Sequence, residues 1–412
     1  MSTPILLVSP FMDPQSVGEP RWCYDLAQAI AKRTDTIILS QTPRNRDYCI
    51  ADLFPDSMVY EHRPWQLDRV PPRIHALFKP NYLRFYLQAR HILQHRLNLS
   101  TISCAHHFGP LALRFPSPLR GLGIPYAIGP LGGSLPTPSA FASERARQPW
   151  YYRFRDFDGM RFRHDPMLRS TYEDAACVVG VAPYVRDLLS SMELKRFETR
   201  PEIAARTPGP NVDDAIRHRR ERSGPVRFLV VARLIFSKGI EFALRAAATL
   251  PPDLDWHLDI LGDGPLRPTI EHMRDELRLA QRVTVHGHVP RQTVDDFYRD
   301  ADIFLFPSIR EPSGAVVFEA MSWGLPIIAA DYGGPAHHVR DSYGIRAPVN
   351  DKAAFIASIA EAMEMLVRAP DRRTDMGKAA MRAARDNESL DAMADYFINL
   401  YASLALSRSA SV

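Results

Sequence analysis

Asp302-Ile-Phe-Leu-Phe-Pro-Ser308 runs on, two residues later, into Glu311-Pro-Ser-Gly-Ala-Val-Val-Phe-Glu319. The first segment predicts a buried strand, and the second a tight loop that opens a helix. Ser313 is placed to cap that helix, and Gly324 followed by Pro326 to stop it. Val317, Ala320 and Met321 give it an apolar stripe. Glu319 then lies more than one turn inside the helix, while Glu311 lies outside it. A strand feeding a helix start at the carboxyl edge of a sheet is where open α/β folds bind ligands. The free N–H groups at such a start favour an anion such as a phosphate. A carboxylate beside them would repel that phosphate and is suited instead to accept hydrogen bonds from hydroxyls. The combination points to a sugar nucleotide. Taken alone, the spacing also fits two solvated carboxylates that the helix dipole favours.

Further elements flank this stretch. Val226-Arg-Phe-Leu-Val-Val-Ala-Arg233 is a strand leading to Arg233, then Lys238, then Gly239 opening a helix. Leu258-Asp-Ile-Leu-Gly262-Asp-Gly264-Pro is a strand with a Gly-rich turn, and Val283-Thr-Val-His286-Gly287 a third strand. Pro326-Ile-Ile-Ala-Ala-Asp-Tyr-Gly333-Gly334 ends in paired glycines. Their order and spacing over most of residues 226–340 resemble retaining glycosyltransferase family 4. The resemblance implies the GT-B arrangement, with two Rossmann-like α/β domains facing across a cleft. It implies retention of anomeric configuration with no metal and no cofactor beyond the nucleotide-sugar substrate. Catalytic roles then fall to Arg233 and Lys238 against the departing diphosphate, helped by the amides of Gly314, Ala315 and Val316. Glu311 would hold the donor sugar, Glu319 the ribose, and Gly262 would lie on the donor side. Two positions depart from the family pattern: Pro312-Ser313 replaces Gly-Phe, and His337 replaces a Glu.

The chain of 412 residues is 46% hydrophobic, enough for two domains. Strands are expected at 5–9, 36–40, 101–105, 126–129 and 177–181. Their alternation with helices indicates a parallel sheet. The N-terminal domain is expected over 1–205, a Pro- and charge-rich linker over 206–225, and the donor domain over 226–390. By the family pattern, a helix near 391–406 returns to the first domain. The run Arg217–Arg222 reads as a solvated helix face. A net charge of +4 without a nucleic-acid motif argues against a nucleic-acid partner. Four scattered cysteines fit core thiols in a reducing compartment. No segment reads as a signal peptide or membrane span, so the expected location is cytoplasmic, at most on the inner face of the membrane.

In the first half, Gly18 opens a helix after the first strand and allows close backbone approach; in the family such a Gly lies by the donor phosphates. His107, in Cys104-Ala-His106-His107-Phe-Gly109, is a candidate proton carrier or acceptor contact, and neighbouring His106 points the other way. In Gly129-Pro130-Leu131-Gly132-Gly133-Ser134, relatives often keep a His that this chain lacks. The amides of Gly132 and Gly133 are candidates for its role. Residues 143–163 interleave Arg with Trp, Tyr and Phe. They suit an anionic membrane surface or a polyprenyl-diphosphate acceptor, or else an amphipathic helix packed on its own domain.

The expected activity is hexosyl transfer from a nucleoside-diphosphate sugar to a hydroxyl of a glycan or lipid-linked acceptor, in bacterial surface or exopolysaccharide synthesis. A non-catalytic nucleotide-sugar-binding protein and a sugar-nucleotide epimerase are the alternatives. A dinucleotide oxidoreductase is disfavoured, because Pro265 and Arg267 break the Gly-x-Gly-x-x-Gly fingerprint after Gly262.

Overall fold

The computed structural model describes residues 3–65, 80–147, 157–202, 212–387 and 389–409. The chain forms two compact units. The first unit is built on β1 (Ile5–Val8), β2 (Thr36–Gln41), β3 (Met58–His62), β4 (Ala105–His107), β5 (Tyr126–Leu131), β6 (Cys177–Gly180) and β7 (Phe197–Thr199). All neighbours pair in parallel, in the order β3-β2-β1-β4-β5-β6-β7. Every residue of β1, β2, β4, β5 and β6 is buried, as expected of strands covered on both faces.

The second unit carries β8 (Val226–Val231), β9 (Trp256–Leu261), β10 (Val283–Gly287), β11 (Ile303–Phe306), β12 (Ile327–Ala330) and β13 (Gly344–Ala347). Their order is β10-β9-β8-β11-β12-β13, again all parallel. Strand order reverses between β8 and β11. A crevice opens beyond the carboxyl ends at such a switch point, so the loops after β8 and β11 become neighbours.

The C-terminal helix Leu390–Ser409 belongs to the first unit. It lies along the helix Glu19–Ala31, where Arg33 meets Asp391 at 2.6 Å and Asp395 at 3.0 Å. Phe397, Leu400, Tyr401 and Leu404 are buried, each worth about 1.5–3 kcal/mol by transfer arithmetic. Residues 135–147, inside the range first assigned to the N-terminal domain, group with the second unit.

Three local expectations are corrected. The strand expected over 101–105 starts at Ala105; Leu99–Thr101 is a 3₁₀ turn in which the Asn98 side chain accepts the Ser100 N–H at 3.1 Å, an alternative to strand pairing. The expected linker 206–225 contains the helix Val212–Glu221, while 203–211 lie outside the described residues. The Arg217–Arg222 run is not simply solvated. Arg219 is buried and donates to the carbonyls of Tyr298, Arg299, Trp323 and Gly324. It thus satisfies carbonyl groups left over at two helix ends. Burial pulls its pKa down to about 10. Arg222 pairs with Asp302, which also accepts the Arg227 N–H at 2.8 Å.

Candidate functional site

After β8 the chain crosses Arg233, which is exposed, and makes a short 3₁₀ turn, Phe236–Lys238. Gly239 follows with φ +68, and a Cβ there would lie 2.0 Å from the Pro307 carbonyl oxygen. Only glycine permits that approach. The hydroxyl of Ser308 donates to the carbonyl of Ser237 at 3.0 Å. The turn after β8 is thereby locked to the end of β11. As a result Lys238 pairs with Glu311, its ammonium 5.6 Å from the centre of the Phe306 ring.

The helix after Glu311 spans Ala315–Ser322. Its cap is Gly314, left-handed at φ 92, and not Ser313. The Ser313 hydroxyl is buried without a hydrogen-bond partner among the described residues. The amides of Gly314, Ala315 and Val316 have no protein acceptor among the described residues, whereas Val317 N–H donates to Gly314 O at 2.8 Å. Free amides at a helix start, on the loop that Lys238 joins through Glu311, suit an anion.

Glu319 lies inside the helix. Arg291 grips both of its oxygens, at 3.0 and 3.1 Å, and the Tyr298 hydroxyl donates to one at 3.2 Å. A carboxylate offers about four acceptor positions, so one remains on Oε1 for a ligand hydroxyl. Burial, then the Glu319 charge, holds the Tyr298 phenol well above its ordinary pKa, so it stays a donor. Sequence reasoning missed Arg291 and Tyr298. Their helical spacing of seven puts them on one face of Arg291–Asp300, but nothing in sequence shows which face meets Glu319.

The paired glycines after β12 work as spacers. A Cβ on Gly333 would sit 2.4 Å from Glu311 O, and one on Gly334 2.5 Å from Pro312 O. The close contact lets Gly334 N–H donate to Glu311 O at 2.9 Å. His337 is half-buried beside His338, and burial followed by the Arg340 charge lowers its pKa. Gly262 is a spacer too. Its N–H donates to Gly287 O at 2.8 Å, and a Cβ would lie 1.9 Å from Ala232 O.

The first unit departs further from expectation. The Gly132 N–H donates to Leu111 O at 2.7 Å and the Gly133 N–H to the Tyr184 hydroxyl at 3.1 Å. Both amides are spent, so they do not stand in for a histidine. His107 is 3% exposed and packs near the rings of Tyr82 and Phe85. Burial, then the neighbouring His106, pushes its pKa down to about 3. This enclosure does not fit the expected role of His107 as a proton carrier or acceptor contact. His106 does face the other way, bonded to the Tyr401 hydroxyl at 2.6 Å and to Gly129 O at 2.7 Å. Gly18 remains open: it precedes the helix Glu19–Ala31 with φ 69, and nothing lies within 4 Å of a Cβ built there.

Of the 143–163 segment, 148–156 lie outside the described residues. Ser143 meets Lys352 at 3.2 Å. Phe157 and Met160 are more than half exposed, next to exposed Arg163. Among the described residues no helix is long and apolar enough to cross a membrane, and no group of three metal-ligating side chains forms.

Residues 212–383 match the family model described as glycosyl transferases group 1. The HepE protein of Anabaena, solved in complex with UDP, superposes with a TM-score of 0.62 at 14% identity, over 97% of this chain and 100% of that one. The fold is GT-B. The D-inositol 3-phosphate glycosyltransferase of Xylanimonas cellulosilytica is 30% identical over 57% of this chain and 56% of its own length. The lipopolysaccharide core biosynthesis glycosyltransferase LpsE of Rhizobium meliloti is 26% identical over 58% and 67%. The chain spans between about a quarter and two thirds of the length of the curated relatives it matches.

Proposed function

We propose that this chain transfers a hexosyl group from a nucleoside-diphosphate sugar to a hydroxyl of a glycan or polyprenyl-diphosphate-linked acceptor, with retention of configuration. The observation that carries the reading is the convergence at the β8/β11 switch point. The loops after β8 and β11 come together there through the Lys238–Glu311 pair, with Arg233 on the first loop and, on the second, the amides of Gly314, Ala315 and Val316, which have no protein acceptor among the described residues. The group 1 match over the same unit supports it.

In the reaction, the bond from the anomeric carbon to the diphosphate oxygen breaks as the acceptor oxygen bonds to that carbon. The acceptor proton passes to the departing phosphate. Arg233, Lys238 and the three amides hold the charge that grows on the diphosphate, and such preorganised donors are usually the largest catalytic contribution. Glu311, kept in place by Lys238, accepts from the sugar hydroxyls, and the remaining acceptor position on Glu319 takes a ribose hydroxyl. No step is assigned to His107 or to a metal ion.

The name of one relative, a lipopolysaccharide core glycosyltransferase, supports surface glycan synthesis as the setting. Exposed Phe157 and Met160 beside Arg163 suit a cytoplasmic enzyme resting on an anionic membrane face. Cosedimentation with anionic but not neutral vesicles is the expected outcome, and equal, negligible binding to both removes that element.

Thermal-shift titration with UDP, GDP, ADP and TDP tests the core of the reading. One of them should stabilise the protein by about 2.7 kcal/mol at a hundred times its Kd, and the matching sugar nucleotide should release that nucleotide when membrane extract is added. Binding without release would leave a nucleotide-sugar-binding protein; conversion of the donor without acceptor would leave an epimerase.

A further inference from the structure

Residues 135–141 leave the first sheet's Gly132-Gly133-Ser134 loop and pack into the second unit. Phe141 is fully buried there, edge-on to Phe242 at 5.1 Å and Phe355 at 5.8 Å. Its N–H donates to Pro138 O at 2.9 Å. Moving back along the chain, Thr137 Oγ1 accepts from Arg310 Nη1 at 3.4 Å and Pro136 O from the Tyr332 hydroxyl at 3.1 Å. Leu135 is buried so close to Gly333 that a Cβ on that glycine would meet its Cδ2 at 2.5 Å. Arg310 immediately precedes Glu311, and Tyr332 immediately precedes Gly333. Each contact therefore falls one residue from a loop that shapes the candidate donor site.

We infer that this segment is a brace: Phe141 anchors it, and Leu135, Pro136 and Thr137 hold the Glu311 and Gly333 loops in register. None of the four supplies a group to the chemistry; they are positioning residues, and the inference rests on the donor-site reading above. Leu135 and the Glu311 carbonyl both crowd the position a Cβ on Gly333 would take. Paired glycines have the greatest backbone freedom of any residues, so the Gly334–Glu311 hydrogen bond needs an outside constraint. Pro136 and Pro138 stiffen the segment by fixing φ, so it can transmit the anchor's position over a few residues. Misplacing a catalytic group by about 1 Å can cost on the order of a hundredfold in rate.

The test uses full-length protein: Phe141→Ala, the conservative Phe141→Leu, and Leu135→Ala and Tyr332→Phe, which leave the aromatic anchor intact. Hydrogen exchange read by mass spectrometry should accelerate tenfold or more over 333–339, where Gly334 N–H is bonded to Glu311 O and Val339 N–H to Pro335 O, in Phe141→Ala and Leu135→Ala. It should be smaller in Tyr332→Phe, and the strands β8 and β9 should keep their protection. Phe141→Leu should restore most of the protection. With whichever nucleotide sugar the wild type turns over, kcat should fall about tenfold while KM stays within twofold. Unchanged loop exchange in both Leu135→Ala and Phe141→Ala, or equal acceleration in every strand, overturns the brace. Should the wild type bind none of the four nucleotides, the transferase reading fails while the exchange pattern still decides this one.

Discussion

The carboxyl edges of the two sheets make opposite use of similar residues. On the second sheet, Arg233 is exposed, Lys238 and Glu311 hold each other, and three helix-start amides lack a protein acceptor among the described residues. On the first, Gly132 and Gly133 have given their N–H groups to Leu111 and Tyr184, and His107 is enclosed by aromatic rings. Glycines and histidines at strand ends look alike in sequence. What separates a binding edge from a structural one is whether the polar groups there still have bonding capacity to offer.

Substitutions can break this contrast. The largest effect is expected at the second edge: Arg233→Ala should lower sugar transfer tenfold to a thousandfold, about 1.4–4 kcal/mol in the barrier. His107→Phe should leave kcat within about threefold at pH 7. A comparable loss in His107→Phe, measured as initial rate on properly folded protein, would restore the first edge to the reaction. Next, Gly262→Ala should destabilise by about 3 kcal/mol, since its Cβ would run into Ala232 O at a positive φ. A denaturant midpoint equal to wild type would show that β8 yields there.

The acid response should belong to the first unit. His62, His106 and His107 are held neutral by burial, with pKa values lowered to about 4, 3 and 3. In the unfolded chain they take up a proton near pH 6.5. Stability they permit is therefore intact above pH 6.5 and falls as the pH drops from 6.5 toward 4 and 3, by at most about 2 kcal/mol per histidine at pH 5. His107→Phe should shrink that loss, read as the midpoint of urea unfolding at pH 7 and pH 5; an unchanged pH dependence would count against the buried neutral ring. The smallest effect is expected at Gly18→Ala. Space is open there, so only the positive φ is penalised, by about 1 kcal/mol. If Gly18 also approaches donor phosphate, nucleotide affinity will drop more than stability does.

The second unit was largely legible because its signals are local. Each strand is a short apolar run, each loop carries its Arg, Lys or Glu within a few residues, and Gly324 and Pro326 stop the Glu319 helix as read. The unread parts depend on contacts distant in the chain. Arg219 looks like one more member of a charged run until the carbonyls of Tyr298 and Gly324 arrive to accept its hydrogen bonds. The partnering of Gly133 needs Tyr184, 51 residues away. The short edge strands β3, β7 and β13 carry too few apolar residues to stand out. Ser313 lost the cap because a left-handed Gly314 turns the chain before the hydroxyl reaches the helix amides.

The return of Leu390–Ser409 to the first unit has a consequence for biosynthesis. Domains usually fold in the order in which they leave the ribosome. Here Cys104, His106 and the helix Glu19–Ala31 wait for their cover, because Phe397 and Tyr401 are translated after every strand of both sheets. Until Leu390–Ser409 has been made, the nascent first unit carries an uncovered apolar flank.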